Sequence, residues 1–267
     1  MNLRRAAAVV LRQAYLLRGS PARVLPLFAW VAIDIVLWGF ISRYLGRIAS
    51  PGFHIVPALL GGVLLWDFLT RVMQGVTMAF FEDVWSRNFL NIFATPLRIS
   101  EYLTGLVATS ICTSLLGLVV MLAVASFAFG LSFAAYGVAL APFLMVLFLS
   151  GIALGILGSG IVLRLGPASE WLIWPIPTLI SPFVGVFYPI SVLPHWMQAV
   201  SRILAPSYVF EGMRQVVAGK GAPMSELALG GGLSALYLVL ACLFFAAVQR
   251  YAVKTGLIAR YSAESVS

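Results

Sequence analysis

Charged side chains are scarce in this 267-residue chain: they make up 10% of it, whereas 61% of the residues are hydrophobic. The mean hydropathy is +1.01. A soluble domain carries charge on about a quarter of its residues, so this composition excludes a soluble globule. It also excludes an intrinsically disordered chain, which combines low hydrophobicity with high net charge. The composition is therefore typical of an integral membrane protein.

Residues that carry catalytic or metal chemistry are equally scarce. The two histidines, His54 and His195, lie far apart, and Cys112 and Cys242 lie in apolar stretches without metal-type spacing. The sequence contains neither a D-D-x-x-D run nor a G-x4-G-K-[ST] phosphate loop. We therefore expect no metal site, no enzymatic activity and no ATP hydrolysis by this chain.

Negative charge is in the minority, since the formal net charge is +8 and the sequence pI is about 9.9. Membrane proteins concentrate Lys and Arg in their cytoplasmic loops, so a basic total is expected from membrane insertion alone. We therefore expect no nucleic-acid partner. The first twenty residues lack a continuous apolar segment, and no cleaved signal is expected.

Six apolar windows are long enough to cross a bilayer, for which roughly 20 residues are needed. They cover residues 24–42, 56–80, 104–129, 138–163, 171–189 and 228–248. With both termini in the cytoplasm, twelve of the 17 Lys and Arg residues lie inside and five outside. This predicts a six-span domain over 24–248 with cytoplasmic termini, the tail being residues 249–267.

The N-terminal arm, residues 1–23, is predicted to hold an amphipathic helix over 2–18. Arg4, Arg5, Arg12 and Gln13 lie mostly away from its apolar residues, which are Leu3, Ala7, Val10, Leu11, Ala14 and Leu17. Such a helix lies in the headgroup plane with its cations toward anionic lipid. The alternative is a basic flank that only fixes the topology.

A second amphipathic helix is predicted after span two, over residues 82–94. Trp85, Phe89, Ile92 and Phe93 recur on one helical face. Glu82 and Asp83 are placed in the first turn, where carboxylates favour the helix dipole, and Arg87 follows. The helix could rest on the inner leaflet or dock into a soluble partner, and its periodicity does not separate the two.

The segment after span five, residues 190–218, is predicted to form two short helices that dip into the outer leaflet. The first starts after Pro194 and places Trp196, Met197, Val200, Ile203 and Leu204 on one face, with Gln198, Ser201 and Arg202 on the other. The second follows Pro206, and Glu211 and Arg214 are spaced to pair. Neither helix is long enough to cross, so the hairpin is expected to be buried against protein.

Ionisable residues also occur inside two predicted spans. Asp34 in span one and Asp67 in span two are each about 11 residues from a span end, near mid-bilayer, and Arg71 is one turn from Asp67. They either pin the spans together or line a polar path. In span four, small residues predict close helix packing within the chain: Ser150, Gly151, Gly155, Gly158, Ser159 and Gly160.

This whole pattern resembles the membrane subunits of type-2 ABC exporters. The most specific stretch is Pro189, Pro194 and Pro206 followed by Tyr208, Glu211 and Arg214, which is similar to the family's P…LP…NP…E..R pattern. One departure is Ala205, which stands where the family usually has asparagine.

The resemblance implies an all-α membrane permease with an N-terminal interface helix, a cytoplasmic coupling helix and two re-entrant outer helices. It implies a homodimer in the bacterial cytoplasmic membrane with two ABC ATPase subunits, which bind ATP and Mg, while this chain holds no cofactor. The coupling helix, 82–94, would enter a groove of the ATPase. The substrate would be a glycan, a lipid-linked glycan or an amphipathic small molecule.

Two alternatives remain open at this point. One is an ion-coupled carrier with Asp34 or Asp67 as its proton site, and the other is an intramembrane lipid-modifying enzyme.

Overall fold

The computed structural model describes residues 2–48, 55–86, 89–129 and 140–257. Within these ranges the regular structure is entirely helical. The ten α-helices found there are α1 (Leu3–Arg18), α2 (Pro21–Ile48), α3 (Ile55–Trp85), α4 (Phe89–Ala94), α5 (Ile99–Phe129), α6 (Leu140–Leu165), α7 (Pro175–Val184), α8 (His195–Ile203), α9 (Ala205–Val217) and α10 (Met224–Lys254). Short 3-10 turns lie at Pro167–Leu172 and Ile190–Val192.

Three helices of the described chain, α5, α6 and α10, are both long enough and apolar enough to cross a membrane. Helices α2 and α3 contain 28 and 31 residues, which corresponds to about 42 and 46 Å at 1.5 Å per residue. The architecture is therefore that of an all-α, multi-pass membrane protein.

Helices α3, α6 and α10 run in the same direction. The hydroxyl groups of Ser150 in α6 and Ser234 in α10 are 2.9 Å apart. Nearer the C-terminal ends of the two helices, the guanidinium of Arg164 in α6 lies 3.7 Å from the ring centroid of Tyr251 in α10, so α6 and α10 are parallel. The C-terminal ends of these three helices lie at one end of the bundle, which we call the α4 end because α4 follows α3 there. We call the opposite end the α9 end.

Helices α2 and α5 run the opposite way. At the α4 end, the Tyr102 hydroxyl of α5 donates to Oδ2 of Asp83 at the end of α3, at 2.7 Å. Further along, the Ser110 hydroxyl donates to the Val72 carbonyl at 2.8 Å, which makes α3 and α5 antiparallel. The C-terminal part of α2 meets the end of α5, where Arg43 donates to a backbone carbonyl.

Glycines of α6 bring it against the backbone of α3. A Cβ at Gly151 would lie 2.8 Å from the Leu69 carbonyl oxygen, and a Cβ at Gly155 would lie 2.9 Å from the Met73 carbonyl oxygen. No larger side chain fits at either position without moving α3. This confirms that the small residues of span four pack within the chain.

The predicted fifth span, 171–189, is not one continuous helix. It begins in the 3-10 turn, and α7 contains only ten residues before Gly185 ends it with a left-handed φ of +72°. Pro175 stands in the first turn of α7, where its missing N–H is tolerated, and a new helix starts there instead of the 3-10 turn continuing. Pro182 lies inside α7 and does not end it. The window 171–189 therefore holds a turn and a short helix instead of one long helix kinked at its prolines.

The interrupted segment nevertheless runs the length of α3. At the α4 end, the Trp85 indole donates to Oε2 of Glu170 at 3.0 Å. At the α9 end, a Cβ added at Gly62 would lie 2.8 Å from the Val186 carbonyl oxygen. Residues 167–186 therefore pass from one end of the bundle to the other, antiparallel to α3.

The predicted helix over 82–94 is also wrong in its bounds. Glu82, Asp83 and Trp85 belong to the last turn of α3, and only Phe89–Ala94 form a separate helix. Arg87 lies outside the described residues. Helix α3 continues this far because Asp83 is fully buried and held by partners from α1 and α5, as described below.

Candidate functional site: the junction of α1, α3, α4 and α5

The polar contacts at the α4 end are concentrated where α3 ends and α5 begins. The six-residue helix α4 and its short flanks join these two long helices. Helix α1 lies across both of them. The junction therefore ties the N-terminal helix, the α4 segment and two long bundle helices to one another.

Asp83 is the central buried charge of the junction, with an exposed fraction of 0%. It forms an ion pair with Arg12 of α1 and accepts a hydrogen bond from Tyr102 of α5. Asp83 lies in the last turn of α3, where the helix dipole is unfavourable for a carboxylate. A buried charge in that position needs a partner, and Arg12 supplies the positive charge.

Glu101 is the second buried carboxylate, with an exposed fraction of 1%. Its oxygens accept hydrogen bonds from the backbone N–H of Asn2 at 2.6 Å and of Arg98 at 3.0 Å. Arg5 of α1 lies 3.6 Å away. Glu101 occupies the first turn of α5, where the helix dipole favours a negative charge. Its ionised form is therefore stabilised by the backbone as well as by Arg5.

Beside these two ion pairs, α1 packs closely on α5 and hydrogen-bonds to the backbone of α3. A Cβ at Gly105 of α5 would lie 2.5 Å from Cβ of Val9, so the absence of a side chain there allows the close approach. The Gln13 amide donates to the Ala79 carbonyl of α3 at 3.1 Å. Helix α1 thus contacts α3 and α5 at the same time.

Part of the predicted role of α1 is corrected by these contacts. The apolar residues Leu3 and Leu11 are exposed, as a lipid-facing side requires. Arg5 and Arg12, however, were expected to face anionic lipid, and they form ion pairs with Glu101 and Asp83 instead. Buried carboxylates are stronger partners for them than screened headgroups, because the pairing occurs out of water.

Helix α4 presents a small exposed surface. Ile92 packs against the hydrophobic core, whereas Asn91, Ala94 and Thr95 are exposed. Trp85, at the end of α3, is 49% exposed. The side chains of Phe89 and Phe93 lie outside the described part, so their predicted place on the docking face remains a prediction.

The structure brings Asp34, Asp67 and Arg71 together between α2, α3 and α5. All three interact electrostatically with one another. Oδ2 of Asp67 is buried and has no hydrogen-bond partner among the described residues. A Cβ at Gly117 of α5 would lie 2.5 Å from Cδ of Arg71, so this glycine makes the space for the arginine.

At the α9 end, Glu211 and Arg214 form an ion pair, with Arg214 Nη2 and Glu211 Oε2 2.7 Å apart. Nη1 of Arg214 also donates to the Gly185 carbonyl at 2.7 Å. A cation there is favourable, because Gly185 follows the C-terminus of α7. Arg214 therefore fastens α9 to the end of the interrupted segment.

Helix α8 packs inward through Ser201, which the sequence pattern places on its polar face. Ser201 is buried and donates to the Phe183 carbonyl, whereas Trp196 is 64% exposed and meets the Phe183 ring edge-on at 6.0 Å between centroids. The polar face therefore supplies the inward contact of α8, a point that the division into two faces left open. In a membrane protein the outward surface is apolar, and the inward hydroxyl satisfies a free carbonyl.

The three prolines of this region begin its local elements. Pro189 precedes the second 3-10 turn, Pro194 precedes α8, and Pro206 lies in the first turn of α9, where proline is tolerated. No side chain caps the start of α9. The Tyr208 hydroxyl instead donates back to the Arg202 carbonyl at 2.8 Å and holds α8 against α9.

Sequence reasoning did not single out Arg12, Tyr102 or Glu101 as site residues. Arg5 and Arg12 are seven residues apart, which places them on the same side of a helix two turns apart. Asp83 and Glu101 flank the α4 segment before and after. Two arginines on one side of α1 and two carboxylates on either side of α4 were therefore the sequence signal that could have predicted these ion pairs.

Comparison with known proteins gives two results. No curated protein matches the chain. A family model described as ABC-2 type transporter matches residues 8–218. This range includes most of α1, the junction apart from Asn2 and Arg5, the bundle helices α2 to α6 and the α8–α9 hairpin. The chain therefore belongs to the ABC-2 type transporter family and is a membrane permease subunit.

Proposed function

We propose that the chain is the permease of an ATP-driven exporter in which two copies form the translocation path and two separate ATPase subunits bind ATP and Mg. Membership of the ABC-2 family supports the transporter role. The sequence has no phosphate loop of its own. The energy for transport must then come from a partner.

The observation that carries the proposal is the position of α4. It is exposed at its tip through Asn91, Ala94 and Thr95, and it is joined by short connections to α3 and α5. A force applied to α4 acts on both long helices, whose ends are joined by the Tyr102–Asp83 hydrogen bond and by the ion pairs that each makes with α1. The α4 surface is therefore the proposed contact for the ATPase.

The proposed topology has six crossings and cytoplasmic termini. The crossings are α2, α3, α5, α6, the interrupted segment 167–186, and α10. The alternating directions of the helices support this order, since α3, α6 and α10 run one way and α2, α5 and the interrupted segment run the other. The α4 end then lies in the cytoplasm of a bacterial cell, where an ATPase can reach it, and the α8–α9 hairpin lies on the outer side.

The proposed substrates are glycans, lipid-linked glycans or amphipathic small molecules. Trp38 and Phe187 stack at 4.9 Å near the α9 end, and aromatic faces of this kind bind sugar rings and acyl chains. Exposed apolar side chains on α2, among them Ile33, Leu37 and Phe40, supply an apolar surface for the second copy.

An ion-coupled carrier is the second candidate, and the cluster of Asp34, Asp67 and Arg71 is the observation that favours it. The two candidates differ in their energy source. Transport that continues after the proton gradient is collapsed but stops with vanadate supports the ATP-driven exporter, and the reverse result supports the carrier.

The partner is tested by coexpression of the chain with the ATPase encoded beside it. We expect the two to copurify in equal numbers, two of each by native mass spectrometry. Ala94→Arg places a bulky charge on the exposed tip of α4, and we expect it to reduce ATPase recovery at least tenfold. Ala218→Arg, at an exposed alanine of the α9 end, is the matched control and should recover the ATPase as the wild type does.

Equal recovery with Ala94→Arg and Ala218→Arg would contradict the proposed docking surface. A wild-type chain that never recovers an ATPase would contradict the exporter itself.

A further inference from the structure

We infer that α1 acts as a two-point clamp on the α4 segment, with Arg12 and Arg5 as positioning residues that hold the end of α3 and the start of α5 together. The part of this inference that concerns ATP-driven movement rests on the proposed function. The structural part, that Arg12 secures α1 to α3, rests only on the contacts of the junction and does not depend on the proposed function.

The geometry fits a clamp because two arginines on one helix meet two carboxylates on either side of one segment. Arg12 pairs with Asp83 just before α4, and Arg5 lies 3.6 Å from Glu101 just after it. Along α1 the two arginines are separated by about 10 Å, at 1.5 Å per residue. Helix α1 therefore spans the gap between the two connections of α4 and fixes their separation.

Two further contacts of α1 leave little room for it to slide, one between the two arginines and one just beyond Arg12. Val9 is seated on Gly105 of α5, and the Gln13 amide is bonded to the Ala79 carbonyl of α3. The first lies on the Glu101 side and the second on the Asp83 side. Helix α1 and the two helix ends thus form one packed unit, which α4 would move as a whole.

The two points are not equally strong. Glu101 keeps two backbone N–H donors and a favourable helix dipole when Arg5 is removed. Asp83 lies at an unfavourable helix end, and without Arg12 it keeps one neutral donor, the Tyr102 hydroxyl. Loss of Arg12 should therefore open the clamp, whereas loss of Arg5 should only loosen it.

The structural part is tested by hydrogen exchange on the full chain in detergent. Arg12→Gln is expected to speed amide exchange in α1 at least tenfold, and Arg5→Gln less than threefold. Arg4→Gln changes an exposed arginine of the same helix and should leave the exchange rates at wild-type values. Arg12→Gln with wild-type exchange in α1 overturns the clamp.

The coupling part is tested in the copurified complex with spin labels at Ser100, an exposed residue at the start of α5 outside the docking surface, and at Lys220 at the α9 end, in a chain lacking Cys112 and Cys242. In the otherwise native complex, trapping with ATP and vanadate should shift the label distance. In Arg12→Gln we expect at least half of that shift to be lost while ATP hydrolysis stays within twofold. A full shift in Arg12→Gln overturns the coupling role.

A companion variant separates an open clamp from a misfolded junction. Arg12→Gln combined with Asp83→Asn removes the unpaired buried charge but does not restore the ion pair. It must show the same loss of the distance shift, and a restored shift would overturn the inference. If the wild type binds no ATPase, the proposed function fails while the exchange experiment still decides the structural clamp.

Discussion

Replacement of Arg71 by leucine is expected to leave the chain unable to accumulate as a folded membrane protein. Arg71 is the only positive charge that acts on both Asp34 and Asp67 in the described cluster, and those carboxylates also repel one another. Removal of one partner from a buried ion cluster costs about 3 to 5 kcal/mol, because it leaves uncompensated charge. That loss is a large fraction of the stability of an ordinary domain. The yield of monodisperse protein after detergent extraction measures the effect.

The matched control removes the charges together. Asp34→Asn, Asp67→Asn and Arg71→Leu combined leave no buried ion, so this variant should recover most of the wild-type yield. Arg71→Leu with wild-type yield and melting temperature would show that the cluster is not held by its arginine. If the neutral variant folds but does not transport, the cluster lines the path as well as joining the helices.

Gly155→Val is the second substitution with a large expected effect. A Cβ at this position already lies 2.7 Å from Cβ of Val76 and 2.9 Å from the Met73 carbonyl oxygen. The obstacle is the α3 backbone, which cannot rotate away as a flexible side chain would. Overpacking of this kind costs about 3 kcal/mol, and the branched valine adds to it. We expect a clear drop in the melting temperature of the purified chain.

The control for this substitution is Gly232→Val in α10, where an added Cβ meets nothing within 4 Å. Both changes place the same side chain in a long helix, so the difference between them isolates the contact with α3. Equal melting temperatures for the two variants would mean that α6 does not pack on α3 as described.

The sequence predicted the long apolar helices α5, α6 and α10, because hydropathy over a long window does not depend on which neighbour a helix meets. It also identified the packing role of Gly151 and Gly155, since small residues at helical spacing can serve close approach in any arrangement. The sequence also predicted the pairing of Glu211 with Arg214, because the two residues lie one turn apart on the same helix.

The sequence did not predict features that depend on distant partners. Asp83 was placed at the start of a new helix because a carboxylate is favoured there, whereas Arg12 and Tyr102 stabilise it at the end of α3. The pattern placed Ser201 on the polar face of α8 but did not identify its partner, which is the carbonyl of Phe183. In each case the deciding contact joins residues that are not neighbours in sequence.

Site-specific photo-crosslinking tests the central claim, that the exposed tip of α4 meets a separate ATPase. A photoreactive amino acid at Ala94 should form an adduct whose mass equals this chain plus one ATPase subunit, and the same amino acid at Ala218 should form none. Absence of the adduct from Ala94 in an intact, ATP-hydrolysing complex, or equal yields from both positions, would contradict the account.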